Sequence, residues 1–518
     1  MPSPLSAVAN KTLGAVLADR AASAPDAPFI HFGGETVTYG QMRQRALRAA
    51  TGLRAAGIGR GDRVAIAATN SPEWLVAYFA TAQIGAILVT LNVIYREHEF
   101  AYMLGQSEAT LLLCDETAGD FEFRPFLAEL APRIPSVQRT VFFGADGDDG
   151  WARMEASEPD AEPEAATPDD PAVILYTSGT TGEPKGATLT HASLLASAAM
   201  QAQRFGQRAD DVLLGALPFN HVGGLTCAVG SSLVVGGAVA LLARFHPDLV
   251  VDAAQRGLTV FCGVPTMYRM LLASEAFAAC DLSTVRLCVV GGSNLEPSLA
   301  EQVTARFGGP RLANLYGLSE TSGACVISPE GDSLATVATT IGTPLDGVEG
   351  RVVSDDGAPL PPGEPGELQV RGACVAAGYW EKPTETAATF ADDGWLSTGD
   401  VATMNDDGHV SIIARKKEMY VRGGYNVYPA EVENVLATDP TVAMCAVIGI
   451  PHRTYGETGY AFVVPAPHAT VNVESLLEKC RRSLAAYKVP DAVEIVDALP
   501  MTPAGKIRKV LLTPAPQN

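Results

Sequence analysis

What most constrains this chain is an alternation repeated along its first 340 or so residues. Short apolar runs alternate with stretches of helical period. Gln41 to Ala56 is amphipathic and stops at Gly57, and Val64 to Ala68 is a short apolar run. Pro72 to Gln83 is helix-like with Pro at its start, and Ala86 to Leu91 is again apolar. Glu97 to Leu104 and Thr110 to Cys114 repeat the pair. The pattern resumes from Val173 to Tyr316, with strand-like Val260–Val264 and Arg286–Val290 and helix-like Glu296–Phe307. Such a βαβα order predicts an α/β fold of parallel sheets covered by helices. At roughly 150 residues per domain, the 518 residues allow about three domains.

Three stretches break the pattern. Asp146 to Asp170 carries ten acidic residues, one basic residue and three prolines, and is expected to be a solvated surface linker. After Gly342, short strands separated by Gly/Pro/Asp turns predict a small β-rich part over about 342–413. Beyond residue 415, Ala430–Leu436, Val442–Ile448, Ala461–Val464, Val473–Ala486 and Val493–Val496 read helix, strand, strand, helix, strand. The expected organisation is therefore a large N-terminal body, 1–415, and a small α+β C-terminal domain, 416–518.

Charge excludes some functions. The net charge of −21 argues against nucleic-acid binding, which needs a basic footprint, and against docking by charge to anionic membranes. An anionic ligand must then be held by a local site. The nine cysteines show no CxxC spacing and sit mostly in apolar runs, as reduced thiols of a cytoplasmic protein do. The N-terminus shows no signal-peptide pattern. Gly223 to Ala243 is uncharged and about long enough to span a bilayer, but its five glycines and the Gly236-Gly237 break predict a buried helix followed by a buried strand.

The sharpest local motif is Tyr176-Thr-Ser-Gly-Thr-Thr-Gly-Glu-Pro-Lys-Gly186, between strand-like Ala172–Leu175 and helix-like Ala192–Gln203. Glycines let backbone N–H groups approach an oxyanion, hydroxyls add donors and Lys185 adds charge, which suits a polyphosphate. It is not a Walker A loop, because Pro184 precedes the lysine and Gly186 follows it.

This segment resembles the signature of the adenylate-forming (AMP-binding) superfamily, and the other motifs follow in order. Leu217-Pro-Phe-Asn-His-Val-Gly-Gly224, Val290-Gly-Gly-Ser293 and Asn314-Leu-Tyr-Gly-Leu-Ser-Glu-Thr321 are similar to its PxxHxxG, Gly-Gly-Ala and YGxTE elements. Gly366–Gly372, Trp395-Leu-Ser-Thr-Gly-Asp400, Arg415–Glu418, Gly423–Glu433 and Pro503-Ala-Gly-Lys506 complete the set, from about Thr36 to Lys509.

The resemblance implies a two-step ligase. A carboxylate attacks the α-phosphate of Mg-ATP to give acyl-adenylate and pyrophosphate, and a thiol then displaces AMP. Thr177, Ser178, Gly179, Thr180, Thr181 and Lys185 would hold the β- and γ-phosphates, and Glu320 would hold Mg²⁺. Tyr316 would stack on adenine beside Gly292, Ser293 and Gly317, and Asn314 would bond its exocyclic amine. Asp400, with Arg415, would bind the ribose; Ser319 stands where the family usually has Thr. Lys506 would bridge carboxylate and α-phosphate, stabilising charge that develops in the transition state, and His221 would close over the acyl side. Lys417 would be the hinge about which a mobile C-terminal domain turns, bringing Gly423 and Gly424 to the thiol tunnel. Many members have Asp at that hinge, and Ala414 replaces a usual Gly.

The acid pocket is expected along His221–Cys227, Val264–Met267, Gly291–Ser293 and Tyr316–Ser322. These stretches hold no Lys or Arg to pair a second carboxylate, so an apolar monocarboxylate is expected, of the medium- or long-chain fatty class. An aromatic acid stays open because Gly223 and Gly224 leave room for a flat ring. The thiol partner is coenzyme A or, as the alternative, the phosphopantetheine arm of a separate acyl carrier protein. A homodimer is left open. A nucleotide-binding pseudo-enzyme is the reading from another class, and Glu320, Asp400 and Lys506 count against it.

Overall fold

The computed structural model describes residues 3–159, 166–177, 183–416, 418–423, 425–501 and 507–514. Among them the chain forms two large sheets, a four-stranded sheet and a C-terminal sheet. The nine-stranded sheet runs Thr343–Pro344, Gly323–Ile327, Arg311–Leu318, Leu287–Gly291, Val260–Gly263, Val212–Gly215, Ala238–Leu241, Pro28–Phe32, Glu35–Thr38. The six-stranded sheet runs Lys185–Thr190, Pro171–Thr177, Ile87–Thr90, Arg63–Ala67, Leu111–Asp115, Arg139–Phe143.

The interiors of both sheets are parallel, as the βαβα pattern predicts, and their apolar strands are buried between helices. Their edges differ from that expectation. Arg311–Leu318, Gly323–Ile327 and Thr343–Pro344 pair antiparallel, as do Pro28–Phe32 with Glu35–Thr38 and Pro171–Thr177 with Lys185–Thr190. Short connections explain three of these four pairs, since a parallel crossover needs a dozen or more residues; Gly323–Ile327 and Thr343–Pro344 are instead joined through the helix Leu334–Thr339.

The helices begin where side chains can cap them. Ser71 accepts from the Trp74 N–H ahead of Pro72–Ile84, and Gly85 closes that helix in a left-handed turn. Thr38–Gln41 and Thr190–Ser193 form reciprocal capping boxes for Tyr39–Ala55 and His191–Arg204. Gly223–Gly230 is wound as a π-helix, continues as Ser231–Val235 and leads to the strand Ala238–Leu241, all buried but for the Val235 end. Among the described residues no helix is long and apolar enough to cross a membrane.

Two expectations need correction. The Gly-rich motif does not run from strand to helix. Its far side, Lys185–Thr190, is itself a strand, so the motif is the connection of an antiparallel hairpin. The alternation of Ala187 and Leu189 with hydroxylated residues carries that strand. The acidic stretch is not a fully solvated linker. Trp151 and Met154 are buried, and Glu155 takes both carboxylate oxygens to Arg45 at 2.7 and 2.9 Å. Gly52 makes that packing possible, because a Cβ there would come within 2.6 Å of the Met154 carbonyl oxygen. Residues 160–165 of the stretch lie outside the described residues.

The β-rich part contains an antiparallel meander, Val348–Val353, Gly366–Gly372, Leu396–Met404, Val410–Arg415. The C-terminal sheet orders Tyr425–Val427, Tyr420–Arg422, Gly456–Pro465 and Val442–His452, with Ala492–Ile495 parallel to Gly456–Pro465. Helices Pro429–Ala437 and Val473–Ser483 pack on it through Val432, Leu436, Leu476 and Cys480.

Candidate active site

Parallel strands leave a crevice beyond their carboxyl ends, where successive loops diverge. Here Val212–Gly215, Val260–Gly263 and Leu287–Gly291 end at one such crevice, and Arg311–Leu318 ends beside it. Leu217, His221, Val222, Gly223, Cys227, Cys262, Gly263, Val264, Val289, Gly291, Gly292, Leu315, Gly317 and Gly323 line it. All four stretches expected at the acid pocket contribute, while Leu217, Cys262, Gly263, Val289, Leu315 and Gly323 lie outside them. Among the described residues the lining holds no Lys, Arg, Asp or Glu. Burial pushes the Cys262 thiol up to about 12 and raises Cys227 as well, so both are uncharged apolar wall near neutral pH. Gly317 is required by close packing, because a Cβ there would lie 2.1 Å from the Gly323 carbonyl oxygen.

His221 stands at the mouth. Its Nδ1 accepts the Gly223 backbone N–H at 3.0 Å, which places the proton of the neutral ring on Nε2.

Beside the crevice, Asp400 is almost fully buried. Its carboxylate accepts the Tyr316 hydroxyl at 2.5 Å on one oxygen and Arg415 Nε at 3.0 Å on the other. Register explains the second contact, since Asp400 and Arg415 face each other across neighbouring strands. Burial and the Asp400 charge push the Tyr316 hydroxyl far above its ordinary range, so it stays a donor. Asn314 is buried, and its amide nitrogen donates to the Thr340 and Val337 carbonyls at 3.1 and 3.3 Å, which leaves its side-chain oxygen as the acceptor end. Ser319 and Glu320 lie in a single 3₁₀ turn, and Ser293 is exposed.

Thr177 and Lys185 face each other where the hairpin opens toward the Gly-rich connection. Lys185 is buried, with its Nζ 5.1 Å from the centre of the Tyr379 ring. The Tyr379 hydroxyl donates to a Glu320 carboxylate oxygen at 2.7 Å. Burial and that charge raise the Tyr379 hydroxyl too. The segment around Tyr379 runs along the hairpin through Ala377 N–H to Thr188 O, Thr188 N–H to Gly378 O and Trp380 N–H to Gly186 O. Tyr379 thus joins the expected phosphate lysine to the expected metal carboxylate. Sequence reasoning missed it; its signal was an aromatic pair, Tyr379-Trp380, in a Gly/Pro-flanked coil.

Ser178, Gly179, Thr180, Thr181, Lys417, Gly424 and Lys506 lie outside the described residues. Gly423 lies in the turn after Tyr420–Arg422, its N–H bonded to the Tyr455 carbonyl at 2.8 Å. Lys509, three residues past Lys506, pairs with Glu418 at 2.5 Å and Glu433 at 2.8 Å, tying the chain end to the segment next to Lys417.

Comparisons with known proteins converge. The family model described as "AMP-binding enzyme" matches residues 17–380, and that described as "AMP-binding enzyme C-terminal domain" matches residues 431–506. A feruloyl-CoA synthase from Amycolatopsis sp. is 36% identical over 506 residues, covering 96% of this chain and 98% of its own. A fatty acid–[acyl-carrier-protein] ligase, ScoC, from Streptomyces coeruleorubidus is 36% identical, covering 93% of this chain and 92% of its own. The crystal structure of ATP-bound MatB from Rhodopseudomonas palustris superposes with a TM-score of 0.87 at 33% identity, covering 96% of this chain and 98% of that one.

Proposed function

The chain belongs to the AMP-binding enzyme family and is an AMP-forming acid–CoA ligase, and from that premise we propose that it activates an apolar monocarboxylic acid of the medium- or long-chain fatty class. The observation that carries this reading is the crevice wall. Among the described residues it is built of glycines, aliphatic side chains and uncharged thiols, with His221 as the one further ionisable group. A second carboxylate there would be desolvated without a partner, which disfavours dicarboxylic acids.

The chemistry assigned to the residues follows from charge. A carboxylate oxygen attacks the α-phosphorus, the α–β bridging bond breaks, and pyrophosphate leaves with the electron pair. Both reactants are anions, so the site must neutralise charge at the transferring phosphorus. Lys185 and the hydroxyls and backbone of 177–181 take the β- and γ-phosphates. Mg²⁺ enters with ATP as part of the substrate. Glu320, a hard oxygen donor steadied by Tyr379, fits it. Tyr316 supplies a stacking face for adenine, and Asp400 accepts the ribose hydroxyls while Arg415 balances its charge. Lys506 carries the positive charge between carboxylate and α-phosphate. Rotation about Lys417 then withdraws Lys506 and presents Gly423 and Gly424 to the incoming thiol. That thiol attacks the acyl carbon and AMP leaves.

An aryl acid is the second reading, favoured by the glycines that flatten the slot (Gly223, Gly263, Gly291 and Gly317) and by the likeness to a feruloyl-CoA synthase. Loading of a separate carrier protein is the alternative for the thiol, supported by the likeness to ScoC. One panel separates these. Octanoate, palmitate, phenylacetate, ferulate and malonate are each offered with Mg-ATP and either coenzyme A or a phosphopantetheinylated carrier. Acyl-CoA formation from a fatty acid supports the reading, and preference for malonate overturns it. Lys506→Ala is expected to lose most pyrophosphate release, and unchanged release would refute its role.

A further inference from the structure

Asn70 is a buried amide outside the expected site, 4% exposed, on the loop between the strand Arg63–Ala67 and the helix Pro72–Ile84. Its Nδ2 donates to the Leu217 carbonyl at 2.9 Å and to the Leu242 carbonyl at 3.2 Å. Its Oδ1 accepts the Phe219 N–H at 2.9 Å. Carbonyls only accept and an N–H only donates, so these partners fix which end of the amide is which. Leu217 and Leu242 lie just past the carboxyl ends of the adjacent strands Val212–Gly215 and Ala238–Leu241. One side chain from the six-stranded sheet therefore clamps two strand ends of the nine-stranded sheet. The clamped segment leads directly into the acid crevice, which Leu217 and His221 line.

Other contacts tighten the same grip. Trp74, one turn into the helix that follows Asn70, packs its ring 5.0 Å from Phe219, and Asn92 donates to the Asn220 side chain at 3.3 Å. The His221 N–H in turn bonds the Pro218 carbonyl at 3.2 Å. The imidazole thus sits at the end of a short turn whose start Asn70 holds.

We propose that Asn70 is a positioning residue for acid binding, setting the Leu217–His221 turn against the crevice without touching the substrate. The proposal rests on the reading of that crevice as the acid site. Without the amide, three buried backbone groups lose their partner and the turn can shift. Misplacement of about 1 Å at such a site costs up to roughly a hundredfold in rate.

The experiment measures acid-dependent ATP–pyrophosphate exchange in the full-length protein, using whichever of octanoate, palmitate, phenylacetate and ferulate the wild type turns over best. Asn70→Ala is expected to raise the KM for acid about tenfold and lower kcat, with the KM for ATP within about twofold. Asn70→Asp keeps the size and the acceptor but loses both donors, and should show the same split. Tyr39→Phe is the control. It removes a buried hydroxyl bonded to the Gly237 carbonyl at 2.7 Å, at the other end of the Ala238–Leu241 strand, and should lower stability without splitting the two KM values. Unchanged acid KM in both Asn70 variants, or an equal rise in acid and ATP KM, overturns the proposal. So does failure of both to fold, which would make the amide a fold determinant. Absence of exchange by the wild type with every acid would count instead against the acid-site reading.

Discussion

Tyr379→Phe isolates one hydroxyl in the centre of the site. The phenylalanine ring keeps its place beneath Lys185, so the cation–ring contact at 5.1 Å survives. What goes is the donor to Glu320 at 2.7 Å. A hydrogen bond to a charged acceptor contributes about 1.5–3 kcal/mol, and Glu320 is partly exposed, which argues for the lower part of that range. A loss of about 1.5–2 kcal/mol corresponds to a fall of roughly 10- to 30-fold in kcat/KM. If the bond serves to aim the carboxylate at the metal of Mg-ATP, the fall should appear in kcat/KM for Mg-ATP. It should shrink when Glu320 is already Gln, because the two changes remove one interaction. ATP–pyrophosphate exchange over a Mg²⁺ series, with the single and double variants, reads this out. Additive losses from Tyr379→Phe and Glu320→Gln, or a Tyr379→Phe rate within twofold of wild type, would refute the coupling.

Three further outcomes are expected. His191 is buried with its Nδ1 accepting the Leu13 N–H and its Nε2 without a partner among the described residues, and burial depresses its pKa to about 4. Between that value and the ordinary 6.5, the unfolded chain binds the extra proton, so stability present above pH 6.5 is lost on acidification. Urea titrations should show about 2 kcal/mol less stability at pH 5 than at pH 7.5 from this group, and a His191→Gln variant that keeps the whole of that difference would sink the assignment. Gly317→Ala drives a methyl into the Gly323 carbonyl between two paired strands, so thermal unfolding should fall by several degrees and exchange should be nearly abolished; wild-type values for both would contradict the packing argument. Lys417→Pro should preserve pyrophosphate release while impairing thioester formation, and an equal loss of both would remove the hinge from the account.

The sequence made the central layers legible because their strands are short uninterrupted apolar runs and their helices keep a clear period. Pro72–Ile84 and Glu97–Ser107 fall within a few residues of where the helical period, and for the first the leading Pro72, put them. Edges were harder. Lys185–Thr190 looks like a loop in isolation, because its hydroxylated residues are polar, and only pairing with Pro171–Thr177 makes it a strand. Trp151 and Met154 lie in a stretch so acidic that composition hides their burial, which depends on the groove at Gly52, about 100 residues away in sequence. The site shows the same division. Residues inside contiguous motifs, such as Tyr316, Glu320 and Asp400, can be found by reading along the chain. Tyr379 and Asn70 act through partners far away in sequence (Glu320 and Leu217), so their parts emerge only when the sheets are assembled.

The claim that a carboxylate attacks the α-phosphate of ATP is tested most directly by following oxygen. The carboxyl group of the best-turned-over acid is labelled with ¹⁸O, and the products of one turnover with Mg-ATP and coenzyme A are weighed by mass spectrometry. Attack by the carboxylate and later displacement of AMP predict one labelled oxygen in AMP, an unlabelled pyrophosphate and an acyl-CoA retaining the other label. Label in inorganic phosphate with ADP as the nucleotide product, or unlabelled AMP, would contradict the account.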